Sequence, residues 1–229
     1  MKCVIIAAGE GTRMRPLTYE SPKQLLRVCG KTLLEYVLEA LPAAISEIIM
    51  IIGYKGADIQ AFLGDEWHGK PVRYVWQEKP EGTAHAISLA KNLLAGEKFF
   101  LAGYADDIHG AEGVAALVAQ QRPCFMVAEV EDPRRFGVIV TNAERKILSF
   151  EERPAEPKSN LVSSGFFVLP IEILDYHMPP HENGEEYIPD RVVKMIEDGY
   201  EFYTERSTQW IPIGYPEDLQ KAEELLCPK

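Results

Sequence analysis

MKCVIIAAGEGTRMRPLTYESPKQLL, residues 1–26, passes from an apolar run straight into a glycine-rich loop. Val4–Ala7 predicts a buried first strand, and Gly9-Glu-Gly-Thr-Arg13 follows it directly. Glycines at the C-terminal edge of a strand let backbone N–H groups approach a phosphate closely. Arg13 and Lys23, ten residues apart, then bring charge to a polyphosphate, the arginine as a planar fork and the lysine as a mobile point charge. Two other phosphate loops are excluded. GxxxxGK[ST] is missing, and Met14 stands where a dinucleotide fingerprint needs its third glycine.

Working outward, short apolar runs alternate with helical patterns, which predicts βαβ units and a largely parallel sheet. Strands are expected at Glu47–Ile52, Val72–Trp76 and Phe99–Ala102. Helices are expected after the capping box Thr32-Leu-Leu-Glu35, at Ala57–Leu63 and over Thr83–Leu94. The fourth strand runs into the acidic turn Tyr104–Ile108. After about residue 123 the pieces Cys124–Val130, Gly137–Thr141, Ile147–Phe150 and Leu161–Leu169 fit an antiparallel extension. Helical patterns return at Ile171–Tyr176 and Ile188–Glu197, and a last helix starts at Pro216 with Glu217 and Asp218 in its first turn. The expectation is one α/β domain over residues 1–229, Rossmann-like, with a mixed, mostly parallel sheet, helices on both faces and a small antiparallel extension.

The net charge of −11 disfavours a nucleic-acid backbone as partner. Residues 1–34 nevertheless carry +4, leaving −15 on the rest. A local cationic patch in an acidic field suits a small polyanion. No apolar run approaches the length that spans a bilayer, and no secretory leader pattern precedes the first strand. A cytoplasmic protein with no membrane partner is expected. Cys3, Cys29, Cys124 and Cys227 form no CxxC pair and are read as separate thiols in a reducing compartment.

GEGTR followed by PK resembles the opening motif of the sugar-phosphate nucleotidyltransferases, nearest to glucose-1-phosphate thymidylyltransferases and related uridylyltransferase domains. The likeness continues through Gln77…Gly82-Thr-Ala, the turn at Asp106, Phe136-Gly-Val138, FEERP at 150–154 and WIPIGYPEDL at 210–219. It implies the nucleotide-diphospho-sugar transferase fold, with a nucleotide-binding half over about 1–122 and a sugar-binding half over about 123–229. It also implies transfer of a nucleotidyl group from UTP or dTTP to a hexose or amino-sugar 1-phosphate, releasing pyrophosphate. Arg13, Lys23 and Asp106 would be catalytic, with Asp106 holding Mg2+. Ala8, Gly9, Gly11, Thr12, Gln24, Gln77, Gly82 and Thr83 would contact the nucleotide. Gly137, Glu152, Arg153 and Gly165 would contact the sugar and its phosphate, with Glu151 standing as the alternative to Glu152. Self-association into a homo-oligomer is left open.

The pattern departs from the family at three places. Pro212 and Tyr215, in Trp210-Ile-Pro-Ile-Gly-Tyr215, replace the aspartate and threonine of W-x-D-x-G-T, and that aspartate is the usual second metal ligand. Ala105 precedes Asp106 where glycine is common, and Arg153 replaces a lysine. A non-catalytic nucleotide-sugar sensor with a degenerate metal site is therefore the alternative. Asp107 is read as a neighbouring acid, either at the surface or just behind the metal ligand, and with Glu217 and Asp218 it is a candidate to replace the missing carboxylate. His109 is read as a solvated loop histidine within reach of the phosphates, and His85 as a packing residue. His177 and His181, separated by Met178-Pro-Pro180, lack helical metal-ligand spacing.

Overall fold

The computed structural model describes residues 1–227. Four strands, β1 (Lys2–Ala7), β2 (Glu47–Ile52), β3 (Lys70–Trp76) and β4 (Phe99–Tyr104), run parallel in the order β4-β1-β2-β3. Their side chains alternate between two covered faces. Cys3, Ile5, Ile48, Met50 and Ile52 fill one layer, and Val4, Ile49 and Ile51 fill the other. Such period-two strands, apolar on both sides, belong at the centre of a parallel sheet.

Beyond β4 the sheet turns antiparallel through β5 (Cys124–Glu129), β6 (Gly137–Thr141), β7 (Ile147–Glu152) and β8 (Leu161–Pro170). β8 is the hub, pairing antiparallel with β4, β5 and β6, and β6 in turn carries β7. β9 (Tyr203–Arg206) pairs parallel with β5. The expected fold class is borne out, with the antiparallel part continuous with the main sheet. β2 and β3 lie on one side of β1 and β4 on the other, so a crevice opens where the loops leaving β1 and β4 diverge. Ile6 pairs with Tyr104 and the Ala105 amide donates to Ile6 O at 3.1 Å. The glycine loop and the acidic turn therefore start side by side.

Besides a single turn at Leu17–Glu20, the helices are α1 (Leu33–Glu39), α2 (Gly56–Leu63), α3 (Thr83–Leu89), α4 (Ala111–Ala119), α5 (Ile188–Glu197) and α6 (Pro216–Leu226). The capping box forms as expected. Glu35 N donates to Thr32 Oγ1 at 3.1 Å, and Thr32 N donates to Glu35 Oε2 at 2.7 Å. Two expected helices differ: α3 gives way to a 3₁₀ turn at Lys91–Leu94, and Ile171–Asp175 is a 3₁₀ turn throughout. The tighter pitch delivers Leu94 and Leu174 to the core. No helix among the described residues is long and apolar enough to cross a membrane.

A smaller core lies under the crevice, where Met14, Val28, Leu33, Ile108, Ile213 and Ala222 pack together. It joins α6 to the hairpin Arg27–Val28/Lys31–Thr32 and lies beneath three loops that reach the crevice. A disulfide closes it. Cys29, on the hairpin turn, bonds Cys227 just past α6, with Cα atoms 5.5 Å apart across 198 residues of sequence. The expectation of four separate thiols is corrected for this pair, because docking of α6 makes a contact that linear spacing conceals. Cys3 and Cys124 are buried free thiols, and burial pushes Cys124 up to about 12.

Candidate active site

A cavity of about 470 Å³ occupies the crevice. Gly9, Gly11, Thr12, Arg13, Lys23 and Gln24 line it from the first loop, and Asp106 and Asp107 from the acidic turn. The amides of Gly9, Glu10 and Gly11 bond no other group among the described residues, so they are free donors. Gly11 holds the loop at φ 61°, and its carbonyl accepts from Thr18 Oγ1 and Met14 N, each at 2.9 Å. A Cβ at Gly11 would stand 3.1 Å from both Lys23 Cβ and Thr18 Cγ2, so glycine is needed for conformation and for space. Lys23, nearly buried, donates from Nζ to Asp106 Oδ2 at 2.5 Å. The two segments singled out in the sequence meet in one ion pair.

Asp107 is not a surface acid. It accepts from Trp210 Nε1 at 3.0 Å and from Ile213 N at 2.9 Å, which ties the turn to the 210–213 segment. Burial, then the neighbouring Asp106 charge, pushes its carboxyl up to about 7 against the pull of Lys23 and these two donors. His109 also departs from expectation. It lies in a two-residue strand, Ile108–His109, paired with Trp210–Ile211, and packs edge-on against Phe166 with ring centroids 4.8 Å apart. Burial lowers its pKa to about 3, which keeps the ring neutral.

Gly137, Glu152, Arg153 and Gly165 line the same cavity, and Arg153 Nε is 3.3 Å from Glu152 Oε1. Burial raises the Glu152 pKa, partly countered by Arg153. β6–β7 register sets Glu152 opposite Gly137 and Glu151 opposite Val138. Glu151 is exposed and outside the cavity lining, so geometry selects Glu152 of the two.

Ala8, Gln77 and Gly82 do not line the cavity, whereas Thr83 does. Gln77 Nε2 donates to Gly82 O at 3.1 Å and lies 3.0 Å from His85 Nδ1. Gly82 has φ 94°, and a Cβ there would fall 2.3 Å from Glu186 O, a contact no side chain tolerates. Glu186 is fastened by its backbone, with Ala84 N donating to its carbonyl and its own N donating to Glu81 O, each at 2.9 Å. Its carboxylate accepts from the fully buried Arg191 at 2.7 Å.

Burial would raise the Glu186 pKa, but the bonds from Arg191 and the Met178 amide outweigh it and the net shift is downward. A lowered carboxylate pKa contributes stability above the unfolded value near ~4.3, and that stability is lost as pH falls through the folded value. Glu186→Gln is expected to be less stable than wild type at pH 7. The gap should close below about pH 4 in thermal melts run across that range.

Tyr104, Arg135, Tyr187 and Trp210 also line the cavity, and none had been named as a site residue from the sequence. For Arg135 a signal existed: it is a basic residue directly ahead of Phe136-Gly-Val138. Tyr215 stacks under two guanidinium groups, with Arg135 Cζ 4.5 Å and Arg13 Cζ 5.5 Å from its ring centroid. His181 Nε2 lies 2.7 Å from Asp190 Oδ2, and no group of three or more metal-capable side chains occurs among the described residues.

The sequence model of the family described as nucleotidyl transferase matches residues 2–228. The chain is 35% identical over 237 residues to the low-salt glycan biosynthesis nucleotidyltransferase Agl11 of Haloferax volcanii, covering 99% of this chain and 66% of that protein. It is 33% identical over 237 residues to the UTP–glucose-1-phosphate uridylyltransferase AglF of the same organism, covering 99% and 96%. The bifunctional protein GlmU of Methanococcus maripaludis is 30% identical over 226 residues, and this chain spans 53% of its length. Among solved structures, a Bacillus anthracis protein assigned as a glucose-1-phosphate thymidylyltransferase superposes with a TM-score of 0.87 at 28% identity, covering 98% of this chain and 94% of that one.

Proposed function

We propose that this chain, which belongs to the nucleotidyl transferase family, transfers a nucleotidyl group from UTP or dTTP to a hexose or amino-sugar 1-phosphate and releases pyrophosphate. The observation that carries this reading is the convergence of Arg13, Lys23 and Asp106 on one cavity, with the Lys23–Asp106 pair at 2.5 Å. In the reaction the free amides of the glycine loop and Arg13 receive the β- and γ-phosphates. Lys23 leaves Asp106 for a phosphate oxygen, so the ion pair holds both charges in place until the nucleotide arrives. The sugar phosphate is already ionised at neutral pH, so in-line attack at the α-phosphorus needs positioning and charge neutralisation and no covalent intermediate.

Gln24 supports a pyrimidine. Its Nε2 donates to Ala7 O at 3.2 Å while its buried Oε1 has no partner, an acceptor suited to an imide N–H. Gln77 and Gly82 lie outside the cavity lining and bond each other next to Thr83 in the chain, and in this reading they shape the base end through the loop. Glu152, Arg153, Gly137 and Gly165 form the sugar end.

Mg2+ fits the donor set, since Asp106 and Asp107 are adjacent carboxylates in the cavity and Mg2+ is commonly held by one or two carboxylates plus phosphate oxygens. Bound to Asp106, it would neutralise charge on the triphosphate and the leaving pyrophosphate. Asp107 accepts from Trp210 and Ile213, so its first role is to hold the 210–213 rim.

Pro212 favours a second reading, a nucleotide-sugar sensor without turnover. Pyrophosphate release measured with UTP or dTTP and a panel of sugar 1-phosphates separates the two. Release that requires both substrates and a divalent ion is expected. Saturable binding without release at any Mg2+ or Mn2+ concentration supports the sensor.

A further inference from the structure

The rim segment Trp210–Gly214 brings no carboxylate to the cavity, since Pro212 stands at its centre. Two guanidinium groups converge there instead. Arg13 arrives from the glycine loop, and Arg135 from the 3₁₀ turn Pro133–Arg135 just ahead of the sugar end. Both lie within cation–π range of the Tyr215 ring, and a Cβ at Gly214 would be 3.2 Å from Arg135 Nη2 and 4.0 Å from Arg13 Nη1. Tyr215 is itself fixed. Its amide and that of Gly214 both donate to Asp218 Oδ2 at 2.9 Å, and Pro216 opens α6 immediately after it.

That same Asp218 oxygen is 3.8 Å from Arg135 Nη2, within ion-pair distance but too far for a hydrogen bond, so it offsets the Arg135 charge without fixing the guanidinium. Arg13 has no carboxylate within ion-pair distance among the described residues. Two like charges held on one ring repel each other, and a multiply charged anion between them removes that repulsion.

We propose that Arg13 and Arg135, set side by side by Tyr215, form a two-guanidinium clamp for the reacting phosphates. Arg135 binds phosphate and Tyr215 positions both arginines. The inference rests on the nucleotidyl-transfer reading of this cavity. It names what neutralises charge at the rim where Pro212 leaves no carboxylate for a cation.

The test is calorimetric titration with inorganic pyrophosphate, followed by steady-state kinetics with UTP or dTTP. Arg135→Gln is expected to weaken pyrophosphate binding about 10- to 100-fold, the loss of one charge-assisted contact. Arg135→Lys, which keeps the charge and loses the fork, should fall between that variant and wild type. Arg134→Gln is the control, because Arg134 is paired to Asp132 at 2.8 and 2.9 Å and lies outside the cavity lining; its affinity should match wild type. Tyr215→Leu should raise the nucleotide KM. Combined with Arg135→Gln it should add less loss than it causes alone, because only its hold on Arg13 is then left to remove.

Wild-type pyrophosphate affinity in Arg135→Gln, or losses at 135 and 215 that simply add, overturns the clamp. Turnover by wild type with an indifferent Arg135→Gln would leave the nucleotidyl-transfer reading standing and remove only the clamp. Pyrophosphate binding weakened by Arg135→Gln in a protein that makes no sugar nucleotide would do the reverse.

Discussion

Asp106→Asn should lower kcat/KM by on the order of 10²- to 10³-fold, the usual consequence of deleting one preorganised charge at a reacting phosphate. Asparagine keeps the size and loses the charge, so the cavity persists while the anchor proposed for a divalent ion does not. The same change removes the carboxylate that Lys23 Nζ contacts at 2.5 Å, and the Lys23 side chain is only 7% exposed. An unpaired buried ammonium destabilises the fold, so a drop in melting temperature accompanies the loss of activity. The two effects separate in a double variant. Lys23→Met/Asp106→Asn should regain stability relative to Asp106→Asn alone and remain inactive. Recovery of turnover in the double variant would show that Asp106 serves only to hold Lys23.

Breaking the Cys29–Cys227 bond is expected to cost about 3–5 kcal/mol, since the bond closes a loop of 198 residues and long loops restrict the unfolded chain most. For a chain of this size that corresponds to a fall in melting temperature of roughly 10 °C. Cys29 is exposed and Cys227 half-buried, so a reductant can reach the bond. The consequence should extend to the site. Met14, Ile108 and Ile213 share the small core that the disulfide closes, and they adjoin Arg13, the acidic turn and Pro212. Cys29→Ala/Cys227→Ala should therefore lower melting temperature and also weaken nucleotide binding. Cys3→Ala, at a free buried thiol in another core, should leave nucleotide affinity unchanged. Equal melting temperatures for wild type with and without reductant would contradict this account of the bond.

The parts of the molecule legible in the sequence are those whose signal is local. The continuous apolar run in Glu47–Ile52 predicts its two-faced burial, and Thr32 with Glu35 predicts the start of α1. The glycine loop, Lys23 and Asp106 are separate motifs, and the order of β1 and β4 in the sheet brings them together. The resemblance to sugar-phosphate nucleotidyltransferases is borne out by the family match over residues 2–228.

What the sequence conceals depends on contacts between distant segments. Cys29 meets Cys227 only because α6 docks on the hairpin core. Asp107 is a strut because Trp210 and Ile213 reach it across more than 100 residues. His109 is buried because the 210–211 strand and Phe166 cover it. The need for glycine at position 82 arises from the backbone of Glu186, which no local pattern announces.

A crystal structure with a non-hydrolysable UTP or dTTP analogue and Mn2+, read by anomalous scattering, probes the central claim most directly. The triphosphate should lie along Gly9–Arg13 with Lys23 turned onto a phosphate oxygen, and the manganese peak should sit on Asp106. Nucleotide bound elsewhere, or a cavity filled while Lys23 stays on Asp106 with no manganese beside it, would contradict the account.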